Sequence, residues 1–321
     1  MPNRHRHEPE PGGEFELIRW IRGRTPVADG PIVLGIGDDC ALLRPTPGCE
    51  LVVTTDMLMD GRHFRLDEAG AEAVGRKALG VNLSDIAAMA ARPVAAVVAV
   101  ALPIRDGRAV AIVRGLHAGL TEMASRCGVA LVGGDTNAWD GPLVITVTLL
   151  GETTVRGAVR RSGAKPGDAI FVTGPLGGSR LGRHLTPEPR VVEALALHAA
   201  APLHALIDLS DGLSSDLGHI LDESGGLGAV LDAPAIPIHP DAETLAARTG
   251  RTSLEHALHD GEDFELCMTV APADADRIAA APPPPARLFR IGTVVATPGI
   301  RLRHADGSLT SIEPAGFDHL K

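Results

Sequence analysis

Apolar and polar positions along this chain follow two periods, and the changes between them divide it into helices and strands. Residues 71–91 carry apolar side chains at helical spacing, which predicts a long helix stopped by Pro93. Residues 94–102 are almost entirely apolar, which is typical of a buried strand. Further elements of this half are helices at 14–22 and 108–127, strands at 50–56 and 129–132, and an apolar stretch at 143–151.

The second half repeats the same order of strand, Asp-bearing turn and helix. A polar, arginine-rich segment, 152–168, separates the halves and ends in the turn Lys165-Pro166-Gly167-Asp168. Beyond it, the pattern predicts strands at 169–173, 228–232, 265–270 and 287–295, and helices at 189–200, 213–223 and 241–249. We therefore expect an α+β (mixed α/β) fold of two domains, 14–151 and 152–321, with an active-site cleft between them and a disordered arm at 1–13.

Composition limits the possible partners. The chain has 321 residues, 45% of them hydrophobic but only 2% aromatic, and it has no tyrosine, so Ala, Val, Leu and Ile must build its core. A net charge of -10 argues against nucleic acid, whose phosphates require clustered Lys and Arg. The four cysteines lack metal-binding spacing, and no apolar run is long enough to span a bilayer. These features predict a cytoplasmic protein without a membrane partner.

Candidate chemistry is concentrated in six short acidic segments flanked by Gly, Ser or Thr. Most follow an apolar stretch, so their carboxylates emerge where strands give way to turns. Together they indicate a pocket lined with oxygen ligands for hard cations. Two unit charges about 4 Å apart repel by roughly 4 kcal/mol at an effective dielectric constant near 20, so phosphate groups bound here would need divalent cations. The segments are 35–41, 54–64, 82–85, 133–136, 207–213 and 260–266.

Asp85 and the pair Asp208 and Asp211 are the strongest single candidates. Asp85 lies in an apolar helical segment, where a buried carboxylate must be paired, protonated or bound to metal. The alternatives are a surface aspartate or a helix N-cap. Asp208 and Asp211 are three residues apart at a strand-to-helix junction, which suits phosphate oxygens, but capping of the helix by Ser210 or Asp211 explains the pattern equally well.

The other segments are ambiguous when taken one at a time. Asp56 follows Thr54 and Thr55, so one strand supplies two hydroxyl groups and a carboxylate. The remaining candidates each have a structural alternative, because glycine-flanked acids form ordinary turns and a lone histidine is more often structural. These candidates are Asp39 beside Asp38, Asp135 after Gly134, His63, and Glu262 beside Asp263.

Taken in order, the segments closely resemble the thiamine-monophosphate kinase family, part of the superfamily of aminoimidazole ribonucleotide synthetase and selenophosphate synthetase. The resemblance covers nearly the whole chain and is carried by GIGDDCALL, TTDMLMDGRHF, KALGVNLSDIAAMAARP, GGDT, RSGAKPGD, IDLSDGLSSDLGHI and GEDFEL. It implies ATP-dependent phosphorylation of thiamine monophosphate to thiamine diphosphate by direct in-line transfer with Mg²⁺. It also implies a homodimer formed through the N-terminal domain.

The resemblance further implies roles for individual residues. Those expected to act in catalysis are Asp85, Arg161 and Asp211. Magnesium ligands would be Asp39, Thr54, Thr55, Asp56, Asp85, Asp135, Asp208 and Asp211. ATP would be bound by Gly134, Asp135, Arg161 and Ser210, and thiamine monophosphate by His63, Glu262 and Phe317.

Two departures from the family pattern and two alternative functions stay open at this point. The family commonly has GGED where this chain has Asp260-Gly261-Glu262-Asp263, and the chain has no tyrosine to contact a ring system. The alternatives are another ATP-using synthetase of the superfamily and a non-catalytic cation- or nucleotide-binding module.

Overall fold

The computed structural model describes residues 14–25, 30–36, 38–104, 107–313 and 315. It confirms the mixed α and β fold. Two compact units can be distinguished: Met1–Arg44, Thr55–Leu79 and Val94–Leu149 form the first, and Pro45–Thr54, Gly80–Pro93 and Leu150–Lys321 form the second. The division of the sequence into domains 14–151 and 152–321 stays a prediction, and the arm at 1–13 lies outside the described residues.

Helices and strands alternate through both units. The helices are α1 (Glu14–Arg24), α2 (Leu66–Ala69), α3 (Ala71–Ala88), α4 (Ala109–Cys127), α5 (Val191–Ala200), α6 (Leu213–Glu223), α7 (Pro240–Thr249), α8 (Ser253–His259) and α9 (Pro272–Ala280). The strands are β1 (Ile32–Leu34), β2 (Leu42–Leu43), β3 (Leu51–Met59), β4 (Arg92–Pro103), β5 (Ala130–Trp139), β6 (Val144–Glu152), β7 (Ala169–Val172), β8 (Leu203–Asp208), β9 (Gly228–Asp232), β10 (Leu266–Val270), β11 (Phe289–Val295), β12 (Gly299–Arg303) and β13 (Leu309–Ile312). Among the helices described, none is both long and apolar enough to cross a membrane.

A four-stranded sheet has the order β3-β6-β4-β5. Its strands β4 and β5 run parallel, with Val98 opposite Gly134 and Ala99 opposite Asp135. Helices α3 and α4 pack at backbone distance, as shown by Gly119, where a Cβ would lie 1.9 Å from the carbonyl oxygen of Glu72. Glycine therefore sets the spacing of the two helices in the first unit.

A seven-stranded sheet of the second unit has the order β13-β12-β9-β11-β7-β10-β8. Helix α6 packs on it through Leu213, Leu217 and Ile220, all of which are fully buried in its core. Strand β8 forms one edge and pairs antiparallel with β10, so that Asp208, its last residue, lies opposite Leu266. This pairing brings the acidic segments 207–213 and 260–266 to the same end of the sheet.

The structure departs from the predicted elements at several places. The segment 133–136, expected as a turn, continues β5 because it pairs with β4. Helix α3 ends at Ala88 rather than reaching residue 91, and β4 already includes Pro93. No bounds were predicted for β1, β2, α2, β8, α8, α9, β12 and β13, although the junction of a strand with a helix was expected after Asp208. They are short, and several are polar, so they carry little periodic signal.

Candidate active site

The turn between β8 and α6 is fixed by a buried carboxylate. Asp216, in the first turn of α6, accepts hydrogen bonds from the backbone N–H groups of Asp211 (3.1 Å) and Gly212 (3.0 Å). Its own exposure is only 2%. The Asp208–Asp211 turn is thus held by the helix that follows it, and both predicted acids sit at the end of an edge strand.

Negative charge is concentrated at this turn. Burial and, to a smaller extent, the neighbouring carboxylates of Asp208 and Asp211 raise the pKa of Asp216 to about 8. Three carboxylates that disfavour one another's ionisation form a region that a bound cation would stabilise. Asp216 was not among the predicted site residues, although it follows Asp211 by five positions in the same motif.

The segment 82–85 contacts the same region within the second unit. Ser84 donates a hydrogen bond from Oγ to Oδ2 of the buried Asp208 (2.7 Å). The next residue, Asp85, accepts a 2.5 Å hydrogen bond at Oδ2 from Oγ1 of Thr54. Thr54 and Asp85 are therefore paired directly, and Asp208 is held by Ser84, the residue before Asp85 in α3. The N-cap alternative does not hold for Asp85, because the residue lies inside α3. Asp85 is half-buried and bonded to Thr54, which argues against a fully solvated surface aspartate.

Strand β3 separates the donors that its sequence places side by side. Thr54 and Asp56 share one face, because side chains alternate along a strand, and both are half-buried. Thr55 lies on the opposite, exposed face, where its Oγ1 donates to the carbonyl oxygen of Val147 (3.2 Å) and lies 3.0 Å from Oγ1 of Thr148. The hydroxyl of Thr55 is thus directed away from the other two donors.

Asp39 and Asp135, the other predicted acidic ligands of the first unit, are exposed. Asp135 lies in β5 and accepts a hydrogen bond from Nδ2 of Asn137 (2.9 Å). The adjacent Gly134 has no room for a side chain, since a Cβ would lie 2.1 Å from the carbonyl oxygen of Val98. Asp39 is exposed in the connection between β1 and β2. The close approach at Gly134 is therefore explained by strand pairing alone.

His63 is oriented by two hydrogen bonds. Its Nδ1 accepts from the backbone N–H of Met59 (3.0 Å), and its carbonyl oxygen accepts from Nζ of Lys77 (2.8 Å), a lysine with 0% exposure. Because Nδ1 accepts, the neutral imidazole carries its proton on Nε2. His63 can therefore donate a hydrogen bond from Nε2.

The segment 260–264 has an unusual backbone. Glu262 and Phe264 both have positive φ, 62° and 52°, which costs a non-glycine residue about 1 kcal/mol or more. Two hydrogen bonds hold the backbone in this conformation. The N–H of Glu262 donates to the carbonyl oxygen of Ser210 (2.7 Å), and the N–H of Phe264 donates to that of Leu209 (2.9 Å). The loop is thus tied to the turn after β8.

Two acids of this loop serve to hold it in place. Both oxygens of Asp263 accept from the backbone N–H of Gly177 (3.0 and 2.9 Å), and Oδ1 accepts from Nη2 of Arg183 (2.9 Å). Burial nevertheless raises the pKa of Asp263 to about 7. Asp260, the acid that the family resemblance leaves unexplained, accepts from the backbone N–H of Gly178 (3.1 Å) and lies 2.9 Å from Nδ1 of His256. The DGED motif therefore contains two structural acids on either side of Glu262.

The other predicted ligand-binding residues have fewer described contacts. Arg161 is exposed on the connection that leads into the second half of the chain, and Ser210 is half-buried. Phe317 lies outside the described residues. Two positions before it, the carbonyl oxygen of Ala315 accepts from Oγ of Ser214 (3.1 Å) and lies 3.2 Å from Nδ1 of His259. These contacts bring the described end of the chain to the first turn of α6.

The donor set fits a magnesium–nucleotide complex better than a preformed metal cage. Across the part of the chain that the structure describes, no group of three or more His, Cys, Asp or Glu side chains is close enough to hold a metal ion. Mg²⁺ in nucleotide sites usually takes one or two carboxylates and completes its shell with phosphate oxygens and water. Asp85, which is bonded to Thr54, and Asp208, which is bonded to Ser84, are carboxylates of the kind that such a complex uses.

Comparisons with known proteins identify the family of this chain. Residues 37–153 match the N-terminal domain and residues 165–305 the C-terminal domain of AIR synthase related proteins. A thiamine-monophosphate kinase from Rhodopirellula baltica is 42% identical over 313 residues, which cover 95% of this chain and 97% of that protein. The family resemblance inferred from the sequence is thereby confirmed.

Solved structures give the same result. The crystal structure of thiamine-monophosphate kinase from Stenotrophomonas maltophilia has a TM-score of 0.75 and 35% identity, covering 91% of this chain and 95% of that one. A structure of AaThiL complexed with AMPPCP and TMP has a TM-score of 0.73 and 29% identity, covering 96% and 97%. The chain belongs to the thiamine-monophosphate kinase family, within the AIR synthase related proteins.

Proposed function

We propose that this chain transfers the γ-phosphate of ATP to thiamine monophosphate and releases thiamine diphosphate and ADP. Its family supports this activity, as does the relative whose structure contains AMPPCP and TMP. The observation that carries the proposal is that Asp85 is hydrogen-bonded to Thr54 while its neighbour Ser84 is hydrogen-bonded to Asp208, next to the Asp211 turn. Asp208 lies where β8 ends, shortly before α6 begins, a common position for phosphate binding.

The chemistry requires little from a general base. The phosphate of thiamine monophosphate is already ionised, so one of its oxygens forms the new bond to the γ-phosphorus while the bond to the β–γ bridging oxygen breaks. Catalysis then depends on alignment and on neutralisation of charge. Arg161 would place its guanidinium beside the transferring group, and Asp85, Asp208 and Asp211 would fix the cations that accompany the nucleotide.

Magnesium ions are the cations that this donor set suits. Asp85, Asp208, Asp211 and Thr54 would hold them in the second unit, and Asp39, Asp56 and Asp135 would do so in the first. The hydroxyl of Thr55 is instead engaged by Val147 and Thr148 on the opposite face of β3. When bound, Mg²⁺ neutralises the phosphate oxygens and lets two anionic substrates approach each other.

Substrate recognition would be divided between the predicted residues. Gly134, Asp135, Arg161 and Ser210 would bind ATP. Thiamine monophosphate would meet His63, Glu262 and Phe317, with Nε2 of His63 donating to the phosphate. The carboxylate of Glu262 would complement the positive charge of the thiazolium ring.

A substrate-dependence assay tests the activity. ADP release and thiamine diphosphate formation are measured with ATP and Mg²⁺, with and without thiamine monophosphate, and after chelation of the metal. We expect equal amounts of both products, only when thiamine monophosphate and metal are present. ADP release without thiamine diphosphate would favour a synthetase of the superfamily, and ATP binding without turnover would favour a binding module.

The proposal includes a homodimer formed by the N-terminal domain, 14–151. The support is an exposed apolar face on the four-stranded sheet, where Met57, Met59 and Val97 are 57%, 39% and 36% exposed. Light scattering should give twice the chain mass for the native protein and the chain mass for Met57→Asp. A native monomer would contradict the dimer. No disulfide joins any two of the four cysteines, all of which lie in the part of the chain that the structure describes, and this agrees with the proposed cytoplasmic location.

A further inference from the structure

Three consecutive donors, residues 177–179, hold the loop that contains Glu262. Each donor engages a different residue of the loop 260–263, and two of the three acceptors are carboxylates. The hydrogen bonds run from Gly177 N to Asp263 (3.0 and 2.9 Å), from Gly178 N to Asp260 (3.1 Å) and from Ser179 Oγ to the carbonyl oxygen of Gly261 (2.6 Å).

The donor segment can adopt this form because it contains two glycines. Gly177 and Gly178 have φ values of 89° and 77°, and a Cβ on either would lie within 2.7 Å of neighbouring backbone atoms. Ser179 is fully buried, and Arg183 donates from Nη2 to both Asp263 (2.9 Å) and the carbonyl of Gly177 (3.0 Å). The segment and the loop therefore form one buried hydrogen-bonded assembly.

The opposite side of the loop is held by the turn after β8, through the N–H groups of Glu262 and Phe264. Glu262 is thus fixed between two sets of hydrogen bonds in a left-handed backbone conformation that it would not adopt alone. If one set were lost, the backbone would relax to negative φ and the Glu262 carboxylate would move.

We propose that residues 177–179, Asp260 and Asp263 form a clamp that positions Glu262 for thiamine monophosphate. This inference rests on the proposed function, which assigns Glu262 to that substrate. The clamp residues are positioning residues, since their own polar groups are occupied by one another. Substitutions in the clamp should weaken the binding of thiamine monophosphate and leave the binding of ATP unchanged.

The test uses Ser179→Ala, which removes one hydroxyl and no charge, with Asp260→Ala as a second variant. Steady-state kinetics vary each substrate in turn, and calorimetry measures thiamine monophosphate binding. Loss of one hydrogen bond in the clamp should raise the KM and the Kd for thiamine monophosphate about fivefold, with the KM for ATP unchanged. Ser308→Ala is the matched control, because it loses a 2.6 Å hydroxyl hydrogen bond in the β12–β13 turn.

A double-mutant cycle with Glu262→Gln decides whether the clamp acts through Glu262. In that background, Ser179→Ala should have no further effect on the KM for thiamine monophosphate. Equal increases in both KM values, or a full effect of Ser179→Ala without the Glu262 carboxylate, would overturn the clamp while leaving the proposed function intact. A Glu262→Gln variant with unchanged affinity for thiamine monophosphate would instead remove the Glu262 assignment and the clamp with it.

Discussion

Replacing Asp263 by asparagine should remove a pH-dependent part of the stability of this protein. The Asp263 side chain is 1% exposed and is paired with Arg183. Burial outweighs the Arg183 and Gly177 hydrogen bonds and raises the pKa of the carboxyl from 3.8 to about 7. Asparagine has nearly the same shape and keeps one oxygen that can accept from the N–H of Gly177.

Proton linkage gives the direction in which the free energy of unfolding changes with pH. Between about pH 4 and about pH 7 the folded protein retains a proton on Asp263 that the unfolded chain has lost, so the free energy of unfolding falls as the pH rises. Above about pH 7 both states are ionised and this contribution becomes constant. Each pH unit in the window corresponds to about 1.4 kcal/mol. Raising the pH from about 5 to about 8 should therefore remove about 3 kcal/mol through this single group.

Urea unfolding without metal or substrate, at about pH 5 and about pH 8, measures the effect. Other titrating groups cancel when the difference between wild type and Asp263→Asn is compared at the two pH values. Asp263→Asn should be less stable than wild type at the lower pH and should approach or exceed it at the higher pH. Thr244→Ala, which loses a hydroxyl hydrogen bond in α7 without changing a titrating group, should run parallel to wild type. If the difference in free energy of unfolding between Asp263→Asn and wild type is the same at both pH values, the raised pKa of Asp263 is contradicted.

Two further predictions concern catalysis and packing. Asp85→Asn should lower kcat by at least about 100-fold. Its melting temperature should stay close to that of wild type, because the amide oxygen still accepts from Thr54. A near-normal rate would contradict the role of Asp85. Gly119→Ala should lower the free energy of unfolding by about 2 kcal/mol, because the new Cβ would meet the Glu72 carbonyl. Gly23→Ala in α1 is its control, since nothing lies within 4 Å of that position, and equal denaturation midpoints for the two variants would argue against the tight α3–α4 contact.

Most elements and the main acidic turn could be predicted from local pattern. Strand β9 and helix α6 have the predicted bounds, and β7 and β10 differ by one residue, because buried apolar runs and turn residues mark them directly. Helix α8 was missed although Thr252 and Glu255 form a capping box, a signal that was present in the sequence. The roles of Asp216 and Asp263 were missed for a different reason, since each is defined by partners from another part of the structure.

The sequence by itself determined the fold class, the family and the set of acids from which the site is built, because motifs and periodicity are local properties. Only the tertiary structure decided what each acid does. Asp85 and Asp208 are connected to Thr54 and Ser84 across 31 and 124 positions of sequence, and the pairing of β8 with β10 brings the Asp211 turn to the Glu262 loop. Within the DGED motif, Asp260 and Asp263 hold the backbone of the loop, and Glu262 is assigned to the substrate. Burial and hydrogen-bond partners, which depend on distant segments, make that distinction.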